Sequence, residues 1–182
     1  MVFAGLPGSG KSVLSRGVAD ATGATYLRID SIETAVRTTL GPFTDNPVGY
    51  AVAERIAADQ LAAGRDVVAD AVNGVAPARD GWVALAKRTG AALRLVEVRC
   101  GDPAEHRRRV ESRQAEMPGQ HIPSWDEVSR RDFEPWPPEL AERLIVIDNV
   151  GDPAAHVAHI LAKAGLTNRT QIALLAHDAE LA

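Results

Sequence analysis

The chain has 182 residues with 46% apolar and 24% charged content, which suits one soluble α/β domain with a real core. A net charge of −4 speaks against a general nucleic-acid coat, and the single cysteine, Cys100, excludes an intrachain disulfide framework. No 18-residue apolar span and no signal segment are visible, so a reducing, cytoplasmic setting is expected.

The first element is a short apolar strand, Val2-Phe3-Ala4. It is short for a central strand, so the natural start is expected a few residues upstream. Directly after it stands Gly5-Leu6-Pro7-Gly8-Ser9-Gly10-Lys11-Ser12, a complete G-x-x-x-x-G-K-[ST] phosphate-binding loop. Each residue type has a task. The glycines let the backbone form a nest of N–H donors, Lys11 sets a compact charge against the β- and γ-phosphates, and Ser12 offers a hydroxyl to Mg²⁺. A helix from about Lys11 adds its N-terminal partial charge, with Val13, Leu14, Gly17, Val18 and Ala21 on one face. Loop residues Gly5 to Ser12, together with Val13, form the expected nucleotide site. Only Lys11, Lys87 and Lys163 are lysines among the 20 basic residues, so Lys11 stands apart.

A strand from Tyr26 to Ile29 ends at Asp30, and residues 31–40 read as a helix. Gly41 to Pro47 is a break. Val48 to Ala63 is a helix closed by Gly64. Asp66 to Ala71 is a near-continuous apolar strand, as a buried parallel strand should be. A helix over 79–89 and a strand from Leu93 to Val98 follow. Asp102-Pro103-Ala104-Glu105 starts a helix expected to reach Ala115. A loop leads to a short helix from Trp125 to Asp132, then a strand from Leu144 to Ile147, a helix from Pro153 to Ala164 and a tail in which a further helix is expected.

This alternation predicts a parallel sheet with helices on both faces, and such sheets bind ligands beyond the strand C-terminal ends. Carboxylates stand there. Asp70, ending an apolar strand, reads as a Mg²⁺-supporting carboxylate or as a helix cap or turn residue. Asp30 reads as a general base or substrate anchor, or as the cap of the helix from Ser31. Asp148 reads as a turn residue. Arg109 and Arg113 are i,i+4 neighbours that suit an anion between them, or a solvated face paired with Glu105 and Glu111. Trp125, Phe133 and Trp136 form either an acceptor-pocket wall or a small satellite core.

Together, Gly5–Ser12, Tyr26–Asp30, Val67–Asn73, Asp102–Arg113 and Phe133-Glu134-Pro135-Trp136 resemble the small P-loop kinases. That group includes gluconate kinase, shikimate kinase, chloramphenicol phosphotransferase and the phage polynucleotide kinase domain. The resemblance extends to bacterial proteins labelled "AAA family ATPase" or "predicted kinase" and covers about residues 1–164. It implies a three-layer α/β/α fold with five parallel strands in the order 2-3-1-4-5, a short lid near 114–124 and a tail over 165–182. It further implies ATP and Mg²⁺ as cofactors, Asp30 as base and Arg113 as the lid arginine, with Arg109 a further candidate. The lid is short, the run after Asp70 matches no substrate motif, and the chain lacks the length and helical lid domain of an AAA+ motor. The expected activity is transfer of the ATP γ-phosphate to a hydroxyl of a small molecule. The alternatives are an ATP-binding or hydrolysing module without an acceptor, and a polynucleotide 5′-hydroxyl kinase. An N-K-x-D motif for guanine is missing from the sequence.

Overall fold

The computed structural model of the chain describes residues 1–41 and 47–166. The predicted tail from residue 167 and the centre of the predicted break, 42–46, lie outside them. Five strands alternate with helices in chain order: β1 (Val2–Ala4), α1 (Lys11–Thr22), β2 (Thr25–Arg28), α2 (Ile29–Leu40), α3 (Val48–Ala62), β3 (Val67–Asp70), α4 (Ala76–Thr89), β4 (Leu95–Arg99), α5 (Pro103–Glu111), α6 (Trp125–Ser129), α7 (Pro138–Ala141), β5 (Leu144–Asp148) and α8 (Pro153–Ala164). The strands form one sheet in the order β2-β3-β1-β4-β5, every pairing parallel. This is the expected order.

Successive side chains along a strand face opposite ways, so each strand feeds two cores. Val2, Val67, Ala69 and Leu95 pack with Leu27, Ala53, Ala57, Trp82 and Leu85 beneath α3 and α4. Their neighbours Phe3, Val68, Val96 and Val98 pack with Leu14, Val18, Ile160 and Leu161 beneath α1 and α8. The result is a three-layer α/β/α arrangement. Helix α1 meets α8 closely at Gly17, where a Cβ would come within 2.8 Å of Val157 Cγ2. Helix α1 buries only part of the face predicted for it. The helix starts at Lys11 as expected and Leu14 and Val18 are buried, but the inward stripe runs through Lys11, Ser15, Ala19 and Thr22 instead of Val13, which is 58% exposed.

Two boundaries move in ways that matter for the site. Strand β2 ends at Arg28, not Asp30, because Ile29 already has helical geometry. Helix α5 stops at Glu111 with Ser112 as its C-cap, short of Ala115, although its start is as predicted: Asp102 caps the amides of Ala104 and Glu105. Between Ser112 and Ser124 the chain has no regular helix or strand. It becomes helical again at a complete capping box between Ser124 and Glu127. Segment α7, four residues long, was not anticipated.

Candidate active site

The loop between β1 and α1 is held open by its own backbone and by its neighbours. Gly8 and Gly10 have φ of 84° and 86°, in the left-handed region where a side chain is strained. At Gly10 a Cβ would also collide with Asn149 Nδ2. The loop carbonyls are tied outward. Pro7 O lies 2.7 Å from His106 Nε2, and Ser9 O accepts from Asn149 Nδ2 at 2.9 Å. The Gly5 N–H donates to Val72 O at 3.0 Å. What remains free to face a ligand is the nest of N–H groups at the start of α1.

Lys11, the first residue of α1, faces Asp70, the last residue of β3. Their charged atoms are 4.0 Å apart, and both side chains are buried. Asp70 Oδ2 accepts a 2.6 Å hydrogen bond from the Tyr26 hydroxyl, whereas Oδ1 is buried without a hydrogen-bond partner. Burial and the neighbouring Asp70 carboxylate push the Tyr26 hydroxyl well above its ordinary pKa, so it stays a donor. Asp70 is not a helix cap: α4 begins at Ala76, and its N-cap is Val75.

A cavity of about 900 Å³ opens beside the loop. Pro7, Lys11, Asp30 and Arg113 all line it, so four predicted site residues from three distant parts of the chain share one space. Asp30 occupies the first turn of α2, which has no side-chain cap, so the capping alternative does not apply. Its carboxylate lies 3.7 Å from Arg28 Nη2. Arg28 also pairs with Glu116 at 2.7 Å, which ties the end of β2 to the segment carrying Arg113. Among the described residues Arg113 itself has no ion pair.

The predicted Arg109–Arg113 pair does not form. With α5 ending at Glu111, the i,i+4 relation has no helix to act through. Arg109 instead donates to Glu105 at 2.7 Å and to Asn149 O at 3.0 Å, beside Gly10. The solvated-face reading holds for the others: Arg107 pairs with Glu111 and Arg108 with Glu105. Hydrogen bonds from Arg108 and Arg109 hold the Glu105 carboxyl well below the usual range, at about 2. Asp148 is not a local turn residue: it ends β5, and its side chain accepts from the Gly101 N–H at 2.8 Å, which ties that end to the run after β4.

The aromatic residues are not a pocket wall. His106 meets Trp125 edge-on at 5.4 Å between ring centroids. Trp136 and Phe133 sandwich the Arg79 guanidinium, with centroids 4.1 and 5.3 Å from its carbon. Arg79 is buried and donates to the carbonyls of Asn73, Gly74, Glu134 and Pro135. This cage joins the run after Asp70 to the return path after α6. Asn73, at positive φ and fully buried, completes it by bonding Phe3 O and Trp82 Nε1.

Sequence reasoning passed over Glu33, Tyr26 and Asn149. Glu33 follows Asp30 by one helical turn and lines the same cavity. Burial first, then the Asp30 charge, raise its carboxyl above the usual range. The i,i+3 spacing from Asp30 was the signal available for it. Tyr26 and Asn149 carry no local signal beyond lying next to strand ends.

A family described as AAA domain matches residues 1–128. The chain belongs to this AAA domain family. Solved structures similar to this AAA-domain chain include a sugar kinase from Janibacter sp. HTCC2649, with 21% identity, 91% of this chain and 93% of that one covered, and a TM-score of 0.62. A gluconokinase from Sinorhizobium meliloti 1021 gives 21% identity, coverages of 99% and 94% and a TM-score of 0.58. The APS kinase CysC of Mycobacterium tuberculosis gives 16%, 90% and 95%, and 0.54. No curated protein matches the chain. The fold is that of the small P-loop kinases.

Proposed function

We propose that this AAA-domain protein is an ATP-dependent kinase that transfers the γ-phosphate to a hydroxyl of a small molecule. The observation that supports it best is that Lys11, Asp30 and Arg113 line one cavity next to the phosphate-binding loop. Kinase neighbours of the same fold agree with it.

The loop amides and Lys11 bind the β- and γ-phosphates. Arg109, beside Gly10 and Asn149 and away from the cavity, suits the nucleoside side of ATP rather than the transferred phosphate. The residues present fit a hard divalent cation. Asp70 Oδ1 is a buried carboxylate oxygen without a hydrogen-bond partner, close to Lys11 and to the N-terminus of α1 where Ser12 lies. Among the described residues no group of three or more His, Cys, Asp or Glu could hold a metal, so a cation here would lean on phosphate oxygens, as Mg²⁺ does. When bound, Mg²⁺ neutralises charge on the β- and γ-phosphates.

Asp30 takes the proton of the acceptor hydroxyl as its oxygen forms a bond to the γ-phosphorus, and the bond to the bridging oxygen of ADP breaks. Lys11 meets the charge that develops on the phosphoryl oxygens, and Arg113, lining the same cavity, adds a second cation. Acceptor and triphosphate share a space lined by both carboxylates and guanidinium groups, which suits a polar small molecule.

The experiment is a panel of hydroxyl acceptors (sugars, sugar acids, nucleosides, hydroxylated antibiotics and a 5′-hydroxyl oligonucleotide) incubated with protein, ATP and Mg²⁺. Phosphorylated product should appear with one small-molecule class and fall at least about a hundredfold in Asp30→Asn. ADP release at one rate whatever the acceptor would show a hydrolase instead, and unchanged transfer by Asp30→Asn would remove the base assignment.

A further inference from the structure

The two oxygens of Asp70 live in different surroundings, and the difference bears on Lys11. Both side chains are buried, to 7% exposure for Lys11 and 1% for Asp70, yet their charged atoms stay 4.0 Å apart. Opposite charges at such depth attract strongly, and a contact pair near 2.8 Å would be the ordinary outcome. The only hydrogen bond that Asp70's carboxylate makes among the described residues runs the other way, from the Tyr26 hydroxyl to Oδ2 at 2.6 Å. Oδ1, on the Lys11 side, has none. Tyr26 projects from β2, whose register sets it beside Val68 on the neighbouring strand β3, two residues before Asp70. Its ring lies 5.7 Å from the Arg16 guanidinium, which helps fix its orientation. Tyr26 is absent from the cavity lining.

We propose that Tyr26 is a positioning residue that holds Asp70 off Lys11 and thereby keeps the Lys11 ammonium available to nucleotide phosphates. This rests on the reading above that Lys11 binds phosphate. Without the hydroxyl, Asp70 loses its one strong donor and turns to Lys11, the cation already facing it. A phosphate would then have to displace a buried carboxylate before it could reach the ammonium. The Tyr26 hydroxyl sets the strength of an interaction that it does not itself make.

The test is ADP binding by calorimetry in EDTA, so that no cation contributes, on the full chain and on Tyr26→Phe, Asp70→Asn and the double variant. Tyr26→Phe should weaken ADP about tenfold, the size of one hydrogen bond to a charged group. In the Asp70→Asn background the same change should cost nothing, because no anion is left to capture Lys11. Tyr26→Met, a second variant without the hydroxyl, should repeat this pattern, and thermal melts report whether each variant is folded. An equal loss in both backgrounds would assign Tyr26 a merely structural part and overturn the proposal, as would no loss in either. If the unaltered chain fails to bind ADP, it is the Lys11 assignment that falls, a result visible before any variant is made.

Discussion

Arg28 and Glu116 form a hydrogen-bonded ion pair at 2.7 Å, with the guanidinium 5% exposed and the carboxylate 50% exposed. One half of the pair ends the edge strand of the sheet. The other stands three residues after Arg113 in the segment between α5 and α6. Arg28 also faces Asp30, so a single guanidinium joins the candidate base to the segment that carries the candidate phosphate-binding arginine.

Glu116→Gln should therefore disturb kinetics more than stability. Glutamine keeps an oxygen for the buried Arg28 guanidinium to donate to, and Arg28 still faces Asp30, so the melting temperature should shift by less than about 2 °C. Turnover should drop roughly tenfold if Arg113 loses its hold near the cavity. Arg28 keeps the Glu116 carboxyl below its ordinary 4.5, chiefly by hydrogen bonding. The contribution of the pair is thus complete above pH 4.5 and disappears as pH falls through the lowered value. Equal kcat in variant and parent would show that the pair does not position Arg113.

Gly10→Ala tests the loop. Its φ of 86° costs a side-chain residue about 1–2 kcal/mol, and the new methyl strikes the Asn149 amide that holds Ser9. Nucleotide affinity measured by titration should fall by more than about tenfold, since a distorted nest loses several donors together. A variant that binds ADP normally would mean that the loop can relax around Asn149.

Arg79 lies outside the cavity lining and still should be among the costliest residues to remove. Arg79→Met leaves carbonyls of Asn73, Gly74, Glu134 and Pro135 without their donor, and chemical denaturation should show a loss of about 3–5 kcal/mol. Arg79→Lys should recover little of it, because one ammonium cannot span the planar fork. Full recovery by lysine would sink the cage as the source of the stability.

Glu33→Gln should stabilise the free protein. Its carboxyl is raised by burial and by Asp30, with Arg37 and Arg131 pulling the other way. The folded chain therefore binds this proton at higher pH than the unfolded chain does. Charged Glu33 costs stability above its raised value, and the cost fades as pH falls toward 4.5. The variant should melt about 2 °C higher at pH 7.5 and no higher near pH 4, by differential scanning calorimetry. A lower melting temperature at pH 7.5 would reverse the sign of this argument.

Much of the site was legible because its chemistry is written in contiguous residues or at strand ends. The loop was complete in eight residues, and Asp70 closed a plain apolar strand. Asp30 lines the cavity but from a different element than expected: Ile29 is as apolar as a strand residue should be, and only backbone geometry shows it starting a helix. The arginine pair failed because propensity carried α5 past Ser112, whereas the chain turned there. Trp136 and Phe133 looked like a binding wall because sequence shows bulk and hides what fills the space between rings. Arg79, Asn149 and Tyr26 act on partners up to 140 residues away in the chain, and no local pattern marks them.

The outward ties on Pro7 and Ser9 have a consequence for how the loop meets its ligand. Left alone, a glycine-rich turn samples conformations in which carbonyls point inward and repel phosphate. Here His106 from α5 and Asn149 from the end of β5 have already turned those oxygens away. The ordering that other flexible loops undergo on contact with an anion is complete when this protein folds. Inorganic phosphate or sulfate, with no adenosine to help it, should therefore already find a receptive surface.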